Sequence, residues 1–200
     1  RTRRHGARAR RETTSVTRVF SLFLGKFFSR TMSLRDAAQE GDLEALRDRI
    51  ARGDDVDGRE EGGWTPLMRA CDRGHHECAQ ALMDAGAAVD MVDNYGKTAL
   101  MLACNNGNLE CAQALIDAGA VVDMVNNNGK TALMEAFIFG HHECAQALIV
   151  AGAALDMVDN EGSTALMDAC IRGHHEWAQA LIVAGAAAHR GTTAGSASLT

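Results

Sequence analysis

The stretch Gly96-Lys97-Thr98-Ala99-Leu100-Met101-Leu102-Ala103-Cys104 decides the fold of this 200-residue chain, because it is written several times over. Thr65, Thr98, Thr131 and Thr164 stand 33 residues apart. So do Gly74, Gly107, Gly140 and Gly173, and so again do Gly86, Gly119, Gly152 and Gly185. Three registers with one step mean a stacked array, in which each unit buries its apolar face on the next.

Within a unit the residue pattern reads helix, turn, helix, finger. Thr65 suits a helix N-cap, and Pro66 suits the first helical position, where a missing N–H removes no bond. Leu67, Ala70 and Cys71 form an i, i+3, i+4 stripe, and Gly74 stops the helix. His75-His76-Glu77 opens a second helix with Cys78, Ala79, Leu82 and Met83 on its apolar face, and Gly86 ends it as a C′ glycine. The following stretch, residues 87–96, reads as an extended, turning finger, and Asn128-Gly129 is a strong tight-turn dipeptide in its copy.

The unit resembles an ankyrin repeat. Gly63-Trp64-Thr65-Pro66-Leu67-Met68-Arg69-Ala70, Gly74-His75-His76-Glu77, Ala81-Leu82-Met83 and Gly86-Ala87-Ala88-Val89-Asp90 follow that family's pattern in order. The resemblance implies an all-α repeat solenoid of stacked helix-turn-helix units with β-hairpin-like fingers. It extends over residues 32–189, as a cap repeat at 33–62 and repeats at 63–95, 96–128, 129–161 and 162–189. Three departures stand out. Met68, Met101, Met134 and Met167 replace the family's histidine, whose bonds tie neighbouring units. Only Pro66 survives of the prolines. Ala81, Ala114, Ala147 and Ala180 replace the first of the paired leucines. A looser stack than the family's ideal is therefore expected.

The first unit is degenerate. Ser33 caps its first helix, Gly41 falls in register, and Leu43, Leu46 and Ile50 share a face among charged residues, as a polar terminal cap requires. The last unit lacks such polarity over residues 177–183, so either further repeats follow or Ile182 and Val183 are partly wet. Residues 190–200 read as a flexible tail.

Charge divides the chain. Residues 1–31 hold nine Lys or Arg against one Glu, a net of +8; with the whole chain at −6, residues 32–200 carry −14. The head is expected to lack packed structure. Its Arg-rich, acid-poor composition fits an organelle transit peptide or a basic membrane-surface segment, while Met32 at the composition break fits a start that leaves the head untranslated. An acidic array disfavours nucleic acid as a ligand. No run of 18 apolar residues occurs, so no transmembrane helix is expected. The six cysteines fall at small apolar repeat positions, which implies buried reduced thiols and a cytoplasmic protein, or an organellar one if the head is a transit peptide.

Motifs that suggest chemistry have bland readings in this frame. Gly96-Lys97-Thr98 and Gly129-Lys130-Thr131 lack the earlier glycine of a phosphate loop, where Met91 and Met124 stand. His75-His76 and His141-His142 are adjacent on a helix and point about 100° apart, so they do not share an ion. No catalytic, cofactor or metal site is expected, and the chain reads as a non-enzyme. Recognition remains, by a monomeric scaffold with another protein as its partner. In the family's geometry the fingers and the exposed side of the first helices line a concave face. By repeat position that face holds Arg69, Arg73, Tyr95, Leu102, Asn106, Glu135, Ile138, Phe139, Asp168, Ile171 and Arg172, with Met91, Met124 and Met157 in the fingers. Arg69, Leu102, Glu135 and Asp168 occupy one position with four characters, as a site for specificity would. Two other readings stand beside this one: the recognition part of a larger enzyme or membrane protein, and a structural spacer.

Overall fold

The computed structural model describes residues 32–174, which form helices in consecutive pairs. They are α1 (Leu34–Glu40) and α2 (Leu43–Ala51), α3 (Pro66–Arg73) and α4 (His76–Asp84), α5 (Ala99–Asn106) and α6 (Leu109–Asp117), α7 (Ala132–Phe139) and α8 (His142–Val150), then α9 (Ala165–Ile171). The first helices α1, α3, α5, α7 and α9 stack in that order, and the second helices α2, α4, α6 and α8 stack beside them. One continuous apolar core runs between the two rows. This is an all-α solenoid. Among the described residues the fingers close on single antiparallel bridges, Val92 with Thr98 and Val158 with Thr164, rather than on strands. The basic head, the second helix of the last repeat and the tail lie outside the described residues.

Each first helix starts where its threonine dictates. Thr65, Thr98, Thr131 and Thr164 accept from the backbone N–H three residues on, at 3.2–3.3 Å. Ser33 caps α1 and Asp36 answers it, closing a reciprocal capping box. Each of α1, α3, α5 and α7 ends on a glycine in the left-handed conformation. The reason is sharpest at Gly107: its φ is +73°, and a Cβ there would lie 2.5 Å from Nδ1 of His141. A side chain would meet both backbone strain and the next repeat.

The methionines that stand in place of the family's histidine fill core space. Met68, Met101 and Met134 are fully buried between first helices, and the Sδ of Met68 accepts weakly from the Thr65 N–H at 3.5 Å. Met167, at the same position on α9, is 51% exposed, since no described helix lies beyond it. The ties between repeats come from another position. His75 Nε2 lies 3.0 Å from the Gln39 carbonyl, and Asn108 Nδ2 donates to the carbonyls of Cys71 and Asp72 at 2.8 and 3.0 Å. Fingers are laced as well. Asp57, Asp90 and Asp123 accept from the backbone N–H of Ala88, Val121 and Ala154 in the next repeat. Asn127 and Asn160 donate back to the carbonyls of Asn94 and Asn127.

Candidate protein-interaction surface

The base of each finger decides which side chains are left for a partner. Asp93, Asn126 and Asp159 are buried where the finger turns back to the helix. Each accepts two backbone N–H bonds at 2.8–3.0 Å: Asp93 from Tyr95 and Lys97, Asn126 from Asn128 and Lys130, Asp159 from Glu161 and Ser163. The turn places this residue over the first helix, nine positions on. There Asn126 Nδ2 donates to Glu135 at 3.1 Å, and in an earlier repeat Arg69 donates to Glu60 at 2.7 Å.

Glu135 therefore does not face a partner. It is 4% exposed, and its carboxylate also accepts from Asn105 at 3.0 Å and pairs with Lys97 Nζ at 3.3 Å. Two amides and an ammonium from three segments converge on one carboxylate, which offsets the cost of burying it. Leu102, at the same repeat position, is likewise 4% exposed and belongs to the core, not the surface. Arg69 is half-buried, stacked 4.6 Å over the Trp64 ring and held by Glu60. The position that varies most between repeats is thus largely taken up inside the molecule.

Asp168 completes that row with a different balance. Its partner nine residues back is Asp159, another acid. Lys130 takes Asp159 at 2.8 Å, and this bond draws the Asp159 carboxyl below its ordinary range. The same contact raises the Lys130 ammonium. Asp168 is left half-buried with a buried, unpartnered Oδ2. Burial, with Asp159 and Glu161 nearby, pushes its carboxyl up despite opposing pulls from Lys130 and Arg172.

The remaining sequence-predicted residues do reach solvent. Arg73, Asn106 and Phe139 end successive first helices, Arg172 follows α9 as its C-cap, and all four are exposed. Asn106 donates to Asp72 at 2.9 Å, so this position reaches back to the preceding repeat. Phe139 is 54% exposed, Ile138 half-buried and Ile171 76% exposed. Tyr95, at the finger tip, is 69% exposed, with its backbone carbonyl accepting from Asn127 at 2.9 Å. Met91, Met124 and Met157 pack partly buried against the core.

The motifs with a chemical look are occupied by structural work. Thr98 and Thr131 cap helices, Lys97 holds a carboxylate of the following repeat, Glu135, and Lys130 holds Asp159 in the finger of its own repeat. His75 reaches the preceding repeat while His76 faces solvent, and the His142 ring sits edge-on to His174 at 4.8 Å. Phe137 is a residue the sequence reading passed over. It is fully buried at the position held by Cys71 and Cys104, and the 33-residue register alone would have pointed to it.

A stack of capped helix pairs tied by side-chain bonds between neighbours, with its variable polar row folded inward, defines a repeat solenoid. The chain belongs to the ankyrin-repeat family: the family model described as ankyrin repeats in three copies matches residues 34–126 and again 118–190. Protein phosphatase 1 regulatory subunit 27 of Homo sapiens is 38% identical over 55 residues, which is 28% of this chain and 36% of that protein. The Mus musculus protein of the same name matches equally, at 38% over 55 residues. The ankyrin repeat domain-containing protein oryK of Aspergillus oryzae is 39% identical over 56 residues, 28% of this chain and 9% of that one. The chain thus spans about a third of the first two relatives' length and less of the third. No helix among the described residues is long and apolar enough to cross a membrane.

Proposed function

We propose that this chain is a non-catalytic protein-interaction module that binds another protein across its fingers and the C-terminal ends of its first helices. Ankyrin repeats serve generally in protein binding. The observation that carries the reading is the pair of exposed aromatics, Phe139 and Tyr95, at repeat positions where other repeats hold Arg73, Asn106, Arg172, Asn128 and Glu161. Aromatic side chains at solvent, with the exposed apolar Ile171 on the same row of helix ends, mark contact sites. Arg73, Asn106, Ile138, Ile171 and Arg172 complete the surface, while Arg69, Leu102, Glu135 and Asp168 support it from beneath.

The test is affinity capture with the native chain and with Phe139→Asp, each checked by thermal melting. Phe139→Asp and Ile171→Asp should lose the captured partner with the melt almost unchanged. Full retention of the partner by both variants would sink the proposal. The catalytic protein of protein phosphatase 1 is the first defined probe, since the matched relatives carry the name of its regulatory subunit.

A further inference from the structure

The second helices carry charge of one sign. Glu77 and Asp84 on α4, Glu110 and Asp117 on α6, and Glu143 on α8 are all exposed, and these three helices hold no Lys or Arg. Acids elsewhere are answered: Asp54, Glu60, Glu135 and Asp159 each pair with a cation. None of the five pairs with a Lys or Arg among the described residues. Gln80 and Gln113 reach Asp84 and Asp117 at 2.8 and 2.9 Å, but a neutral amide leaves the charge in place. Between α4 and α6 lies a groove of about 460 Å³. Half-buried Leu109 and Ala114 form its floor, and exposed Glu110 and Asp117 flank it. Ala114 stands where the family's pattern has a leucine, and the missing hydrocarbon leaves the space. Glu110 and Asp117 are two helical turns apart, so they share one face about 10 Å from each other.

The complement of this groove is written in the chain's own sequence. Residues 1–31 hold nine Lys or Arg against one Glu, and the apolar run Val19-Phe20-Ser21-Leu22-Phe23-Leu24 lies between Arg18 and Lys26. Cation, hydrocarbon, cation answers carboxylate, hydrocarbon, carboxylate. We propose that the basic head docks in the α4–α6 groove of its own chain, with its apolar run over Leu109 and Ala114, Lys26 beside Asp117 and Arg18 beside Glu110. The direction follows from where the head joins the array. A first helix begins, and a second helix ends, at the finger edge, so a head that enters before α1 meets Asp117 first and Glu110 after it. The seven links from Lys26 to Ser33 extend up to about 24 Å, before the lysine side chain is counted. Two repeats along the stack is about 20 Å at ordinary helix spacing. This surface is separate from the fingers and first-helix ends, so a partner bound there leaves it open.

The experiment uses the full chain. Lys26 is the only lysine of the head, and Arg18→Lys adds a second amine there. A water-soluble carbodiimide, at low salt, joins an amine to a carboxylate it touches, and mass spectrometry maps the amide. The expected links are Lys26 to Asp117 in the native chain and, in Arg18→Lys, position 18 to Glu110 as well. Mixing ¹⁴N- and ¹⁵N-labelled protein should give no mixed pairs, and about 0.5 M sodium chloride should suppress both links. A second measurement needs no cross-linker. The Glu110→Gln/Asp117→Asn double variant, with folding checked by circular dichroism, should be cut by trypsin at Lys26 about fivefold faster than the native chain, for the loss of two exposed ion pairs. Absence of the Lys26–Asp117 link overturns the proposal, as do links formed only between chains. Equal trypsin rates for the double variant and the native chain overturn it too.

Discussion

Replacing Glu135 with leucine should destabilise the array, although a leucine is already buried at the same position one repeat earlier. Glu135 is 4% exposed and gathers Asn105, Asn126 and Lys97 at 3.0, 3.1 and 3.3 Å. Leucine approximates its volume, as Leu102 does in its own repeat, so shape contributes little. The loss lies in the donors left behind. Two amides stranded without an acceptor cost about 1–3 kcal/mol each. Lys97 keeps partial solvent access and turns outward, which adds little. New apolar burial returns about 1 kcal/mol. The net is a loss of about 2 kcal/mol, or roughly 4–8 °C in melting midpoint for an array of this size. Glu135→Gln, which keeps one acceptor oxygen, should lose about half as much. Thermal and urea unfolding followed by far-ultraviolet circular dichroism reads both. If Glu135→Leu melts at or above the native chain, the carboxylate is not what fastens finger to helix, and the inward assignment of this position fails.

Two glycine variants separate strain from collision. Gly107→Ala brings both a φ of +73° and a Cβ 2.5 Å from His141, whereas Gly119→Ala brings a φ of +86° with nothing within 4 Å. Both should lower the melting midpoint, Gly107→Ala by about 1 kcal/mol more than Gly119→Ala, and equal losses would mean that His141 moves aside freely. Asp168→Asn should stabilise the chain at neutral pH. The native carboxyl is raised by burial, so its charged form disfavours the fold above that raised value, and the advantage of asparagine should fade as pH falls and Asp168 takes up its proton. Melts across pH 3 to 7 read the trend, and a constant offset would refute the assigned cause.

The frame of this molecule was legible in the sequence because its devices repeat without change of type. A threonine that caps a helix and a glycine that ends one recur from copy to copy in α3, α5 and α7, so a 33-residue step exposes them. The row under the fingers was not legible for the opposite reason. Arg69 and Glu135 bond to Glu60 and Asn126, nine residues earlier, while Leu102 is buried in the core and Asp168 has another acid, Asp159, at that spacing. Inward-facing variation of that kind imitates the variability of a binding site. The opposite charges of Glu60 and Arg69, read at a spacing of nine, were the available signal. Exposure of Phe139 and Tyr95 followed from repeat position alone, since the neighbouring copies are polar there.

The lacing of the fingers has a consequence for how such a chain grows. Asp57, Asp90 and Asp123 each reach a backbone N–H 31 residues on, and Asn127 and Asn160 each reach a carbonyl 33 residues back. Every one of these bonds ends in the adjacent copy, and none skips over it. A whole unit copied in tandem between two fingers meets neighbours of the type its original met, and the bonds on either side are re-formed with like partners. Duplication or excision of 33 residues therefore changes the length of the array while leaving its joints intact, and the sequence carries its own grammar for extension.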